Sequence, residues 1–290
     1  MLDGTYKRFG PEARVPHTGR IKFGTESNGG FRNITISNCV FEGCQGLALE
    51  TVDGALLEDV TVTNLSMRDI MSAPIFLRLG RRLRGPEGTQ VGTLKRVIID
   101  NVVCSNSVSS IGSVISGIPG HYIEDVKISN IQIRHQGGGT KEDAAYEPPE
   151  QEDIYPEPDM FTAPARPGRN GRGPNGQFGA EGAGRVPGAA PARPRPPQTP
   201  VERHKMPSHG FYLRHVKGIE FDNVTIQTAA EDRRPAFVLD DVQDADFFRI
   251  KTPKVEGSPV FALHDVTDVS VRTCRGVKDV EIPKAERRTL

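Results

Sequence analysis

Short runs of alternating apolar and polar residues recur along this chain, and Gly, Asn or Asp closes most of them. In GRIKFGTESNGGFRNITISN, residues 19–38, Ile34 and Ile36 alternate with Thr35 and Ser37, and an Asn follows. β-Branched alternation of period two, bounded by turn formers, predicts strands, and helix-period patterns are nearly absent. The segment then repeats. KFGTESNGGFRNITISN, from Lys22, superimposes on ALETVDGALLEDVTVTN, from Ala48, and places Ile34 on Val60 and Asn38 on Asn64. IFLRLG with LKRVIIDN makes a third copy ending at Asn101, and SVISGIPGHYIEDVKISN a fourth ending at Asn130. After an interruption come GFYLRHVKGIEFDNVTIQT, AFVLDDVQDADFFRIKT and VFALHDVTDVSVRT. A period of about 25 residues marks a solenoid, whose units bury their apolar faces only against one another. The predicted fold is therefore all-β, a right-handed parallel β-helix. A propeller would need about 40 residues per blade, and a sandwich would not repeat in register.

The repeat defines columns. Phe23, Leu49, Leu77, Ile115, Leu213, Leu239 and Leu263 share one position, all large and apolar, and are expected to form the core. Side chains alternate along a strand, so both flanking columns should face outwards. One is Lys22, Ala48, Phe76, Val114, Tyr212, Val238 and Ala262; the other is Gly24, Glu50, Arg78, Ser116, Arg214, Asp240 and His264. A further column, Asn38, Asn64, Asn101 and Asn130, is expected to form a hydrogen-bonded ladder inside a bend.

Two segments leave the pattern and set the domain organisation. RRLRGPEGTQVG, from Arg81, reads as a polar loop on the third coil. Coils over 1–136 are then separated from final coils over 209–290 by an insertion at 137–208. Within it, residues 165–203 are Gly, Pro, Arg and Ala with almost no large apolar side chains, a composition expected to be disordered. EPPEQEDIYPEPDMF precedes that stretch, and its Tyr155, Met160 and Phe161 are expected to dock on the helix.

Charge narrows the function. Lys+Arg and Asp+Glu both number 37, so the chain lacks the basic excess expected of nucleic-acid or anionic-membrane binding. No apolar run of about 18 residues could span a membrane, and MLDGTYKRFG lacks the apolar stretch of a signal peptide. Cys39, Cys44, Cys104 and Cys274 have no zinc spacing; they read as buried thiols, with a Cys39–Cys44 disulfide as the alternative. No cofactor or metal is implied, and the chain is expected to be a monomer.

The outward columns make a groove suited to an extended polymer. Glu50 and Arg78 lie about 4.8 Å apart along the stack and could pair. Tyr212, Arg214 and His215 combine an aromatic face with cationic donors, which suits a sugar bearing a carboxylate. His17, Arg20, Lys22 and Glu26 cluster at the first coil. His121 reads as a turn residue, and the adjacent Asp240 and Asp241 are expected to face opposite ways. The substrate-binding candidates are thus His17, Arg20, Lys22, Arg78, Tyr212, Arg214 and His215. Glu26 and Glu50 are the only catalytic candidates.

At GRIKFGTESNGGFRNITISNC followed by GLALETVDGALLEDV, the chain resembles the polygalacturonase family of pectin-degrading glycoside hydrolases, family 28. The resemblance implies the same β-helix and an inverting hydrolysis of glycosidic bonds in pectic polysaccharide, by a carboxylic acid and a carboxylate base. It also implies secretion or a periplasmic location. The family's Asn-x-Asp and Asp-Asp acids would lie upstream of residue 1, so the chain is expected to be an N-terminally truncated form of weak or no activity. Its Gly-His-Gly falls on Thr18-Gly19-Arg20, and its Arg-Ile-Lys on Ala48-Leu49-Glu50. Glu50 would repel a galacturonate carboxylate, which favours a neutral sugar or another pectin side-chain linkage. Gly24-Thr25-Glu26 is similar to the Gly-Ser-Glu of exo-acting members. Two alternatives stand beside hydrolysis: a non-catalytic carbohydrate-binding or structural β-helix, and a lyase using Arg78 or Arg214 as base. An uncapped first coil would expose apolar core and strand edges and make the chain prone to aggregate.

Overall fold

The computed structural model describes residues 20–24, 26–154, 157–162 and 204–290. His17, Tyr155 and the expected disordered stretch 165–203 lie outside these residues. The chain winds into a parallel β-helix. β1 (Ile21–Phe23) and β2 (Phe31–Glu42) form the first coil, β3 (Leu47–Thr51) and β4 (Leu56–Arg68) the second. β5 (Ile75–Leu79) with β6 (Thr93–Ser107), and β7 (Ser113–Ser116) with β8 (Ile123–His135), form the next two. The short strands pair in the order β1-β3-β5-β7-β9 and the long ones in the order β2-β4-β6-β8-β9, all parallel. β9 (Phe211–Thr228) receives both series, and β10 (Phe237–Phe248) and β11 (Phe261–Arg272) continue the stack. β12 (Val280–Thr289) closes it by pairing antiparallel with β11, so that β11 has a hydrogen-bonding partner on each side.

Corners come from residues held at positive φ. In β4 the buried apolar side chains are Leu57, Val60, Val62, Leu65 and Met67, spaced three, two, three and two. Asp59 and Asn64, both at φ 57°, fall in the gaps of three. A left-handed residue turns the strand and shifts its alternation by one, so apolar residues on either side of the corner still point inwards. Arg96 and Asn101 do the same in β6, Asp125 and Asn130 in β8, and Gly218 and Asn223 in β9. Short polar Asn and Asp are the non-glycine residues that tolerate this region best.

The core column holds its predicted register from Phe23 to Leu263. Phe23 is half-buried and the other six are sealed from solvent. Phe211, Phe237 and Phe261 stack at 5.5 and 5.1 Å between ring centres, and Phe221 stacks on Phe247 at 5.1 Å. Burying and stacking these rings anchors the β9–β11 coils.

The Asn column differs from expectation in two ways. It lies on the outer surface, because the corner turns each Asn away from the core. It is also interrupted: Asn64 donates to Asn38 at 3.0 Å and Asn101 to Asn64 at 2.6 Å, but Asn130 donates to Asp100 at 2.9 Å. Asn223, absent from the predicted column, donates to Asn130 at 2.8 Å. All four cysteines are free thiols, so Cys39 and Cys44 are not bridged.

Candidate functional site

The two columns flanking the core occupy one sheet face in the predicted register, but this face is not an open groove. Residues 146–154 and 157–162 lie across it and are called the strap, and Phe76, Val114, Tyr212, Glu50, Arg78, Ser116 and Arg214 are all buried. Apolar packing seats the strap. Phe161 sits edge-on to Phe76 at 6.4 Å and against Tyr212 at 6.3 Å, and Met160 and Met206 complete a small second core. Met160 and Phe161 therefore dock as the sequence predicts. A 3₁₀ turn, Pro158–Phe161, presents them. A short helix, α1 (Lys141–Ala144), closed by a Thr140–Asp143 capping box, leads into the strap.

Cations of the face hold the strap by its backbone and its acids. Arg78 donates to Ser116 Oγ at 2.7 Å and to the carbonyls of Gly117, Glu150 and Gln151 at 3.0–3.2 Å. Its guanidinium also lies 5.3 Å from the Phe161 ring centre. It does not pair with Glu50, because the strap supplies its acceptors. Burial lowers its pKa to about 10, which leaves it charged. Arg214 donates to the Pro148 carbonyl at 2.8 Å and to Asp240 Oδ2 at 2.7 Å, and it lies 3.2 Å from Glu150. Arg20 and Lys22 both engage Glu157, at 2.5 and 3.0 Å.

His215 joins the same network. Its Nδ1 is 2.7 Å from Asp241 Oδ2 and its Nε2 is 3.1 Å from Glu150 Oε2. Both partners are acceptors, so the ring carries two protons. Burial alone would lower its pKa, but the two carboxylates outweigh burial and raise it. Tyr122 donates to the same Asp241 at 2.8 Å. Asp240 and Asp241 do not face opposite ways. Asp241 is a corner residue at φ 54°, so both carboxylates stay outside the core, 28% and 31% exposed.

The catalytic candidates do not converge. Glu26 is 64% exposed and pairs with Arg84 at 3.3 Å beside the third-coil loop. Glu50 is sealed beneath the strap, with Lys22 Nζ 3.0 Å from Oε2 but no well-aligned hydrogen-bond donor on either oxygen. Burial pushes its carboxyl up to about 7, against the pull of Lys22 and Arg20. Glu50 therefore faces Lys22 and the strap, not a substrate carboxylate.

Past the strap the face opens into a pocket of about 440 Å³. Tyr146, Tyr212, Arg214, Asp240 and His264 line it, with Glu147 and Arg287 at its edge. Asp240 accepts from both the Tyr212 hydroxyl, at 3.2 Å, and Arg214, and both bonds fall on Oδ2. The Tyr146 hydroxyl is buried without a hydrogen-bond partner. Sequence reasoning found Tyr212 and Arg214 but missed Tyr146, Glu150 and Glu157. The signal for the last two was the acidic run EPPEQEDIYPEPD in a chain whose outward column is rich in cations.

This is the site of a parallel β-helix whose strapped face opens into a polar pocket. No protein family, curated protein or solved structure matches the chain.

Proposed function

We propose that this chain is a polygalacturonase-like β-helix protein that engages pectic or related polysaccharide, with the Tyr212–Asp240 pocket as its sugar subsite. The observation that carries this reading is the pocket's composition. Two tyrosines, an Arg–carboxylate pair and a His sit together where the outward column emerges from the strap. Fixed polar groups of this kind read the hydroxyls of a sugar. The unpartnered Tyr146 hydroxyl and Asp240 Oδ1 offer a donor and an acceptor for them.

In the hydrolytic form of this reading, the pocket's carboxylates do the chemistry. Asp240 and Glu147 both line it, and inversion requires one acid and one base flanking the bond. The non-catalytic form is favoured by the strap, which spends Arg20, Lys22, Arg78 and Arg214 on internal acceptors. One experiment separates the two. Titration calorimetry with charged and neutral pectic oligosaccharides is paired with an assay for released reducing ends. Binding that weakens roughly tenfold in Asp240→Asn, as loss of a charged hydrogen-bond partner implies, supports the subsite. Reducing ends released by the native chain and lost in Asp240→Asn establish hydrolysis, and binding without turnover establishes the non-catalytic form. Absence of binding to every pectic oligosaccharide overturns the reading.

A further inference from the structure

A cavity of about 740 Å³ lies between the loops that precede β10 and β11. Its wall includes His209, Asp232, Arg234, Thr252, Lys254, Ser258 and Arg275. Nothing in the saccharide reading of the Tyr212 pocket uses it.

Its floor is built from buried polar side chains. Asp232 and Arg234 form a buried pair, with Arg234 Nη2 2.7 Å from Asp232 Oδ2 and Nε 3.0 Å from Oδ1. Asp232 also accepts from the amides of Gly139 and Arg234, each at 3.0 Å. Burial works against the Asp232 carboxylate, but Arg234 outweighs it and holds its pKa down at about 2. This pair needs nothing further. His209 is different. Its Nδ1 is 2.9 Å from the Arg234 carbonyl, which only accepts, so Nδ1 carries the proton. Burial lowers the pKa of this ring, so it is neutral and Nε2 is a bare acceptor. Nε2 is buried with no donor, and so is the Ser258 hydroxyl with no partner. A buried acceptor left empty is a cost to the fold, which a ligand hydroxyl would recover. On the same wall Lys254 and Arg275 are exposed and, among the described residues, make no ion pair.

We propose that this cavity is a second binding site, for a small polyhydroxy carboxylate. A ligand hydroxyl donates to His209 Nε2, a second pairs with Ser258 Oγ, and the carboxylate meets Lys254 and Arg275. Neutral polyols satisfy only the floor, and simple carboxylates only the rim.

The test is titration calorimetry of the full chain with D-gluconate, D-glucose and acetate. Gluconate is expected to bind at least tenfold more tightly than either of the others, since each lacks one half of the recognition. The double variant Lys254→Ala/Arg275→Ala alters exposed side chains and should fold normally; gluconate affinity should drop at least tenfold. Ser258→Ala should weaken gluconate several-fold. Asp240→Asn, which disables only the Tyr212 pocket, should leave gluconate binding unchanged. Equal binding of acetate and gluconate, an unaltered affinity in the double variant, or no gluconate binding would each overturn the proposal. A loss of gluconate binding in Asp240→Asn would overturn it as well, by assigning the ligand to the other pocket.

Discussion

Glu50 shows how one position changes meaning once its neighbours are known. Its column predicts an outward carboxylate, yet the strap seals it and burial lifts its pKa from 4.5 to about 7. A group whose folded pKa is raised favours the folded state most below its unfolded pKa. That advantage disappears as pH rises from 4.5 through about 7. Glu50→Gln is therefore expected to stabilise the chain above pH 7 by roughly 1–3 kcal/mol, and to be nearly neutral at pH 4. Denaturant melts at the two pH values check this; equal effects at both would contradict it. At Asn101 the constraint is backbone. With φ at 57° and one exposed ladder bond to Asn64, Asn101→Ala should cost about 1–2 kcal/mol. Asn101→Gly should cost less, because glycine adopts this conformation freely. If Gly and Ala were equally costly, the ladder bond and not the corner would be responsible.

At the scale of elements, each coil is a set of short strands joined at left-handed corners, and the strap crosses them. Phe161 is its main apolar anchor, sealed between Phe76, Tyr212 and the Arg78 guanidinium. Phe161→Ala removes a buried ring, a change that typically costs about 3–5 kcal/mol. Most of this cost should fall on the strap, since the ring packs outside the main core. Limited proteolysis should then cut faster within the strap while the global melt shifts little. A large global shift with unchanged strap cleavage would contradict this division. Strand positions and their register could be read from the sequence because a repeat compares each coil with its neighbours. The strap's partners could not: Glu150 reaches Arg214 and His215, and Glu157 reaches Arg20, from a segment with no repeat to align.

Across the whole molecule, the sequence alone determined the parallel β-helix, the in-register column from Phe23 to Leu263, and the docking of Met160 and Phe161. Each follows from local chemistry repeated at a fixed period: apolar residues must point inwards, and every coil solves that problem in the same way. Only the tertiary structure decided which outward residues remain outward. The strap covers Glu50, Arg78 and most of Arg214, and leaves Asp240 and His264 at an open pocket. The fold of the loops before β10 and β11 likewise placed His209 and Ser258 in one cavity with Lys254 and Arg275. The physical reason is that burial of a surface column depends on what a non-repeating segment does far along the chain, and solvent exposure is not a local property.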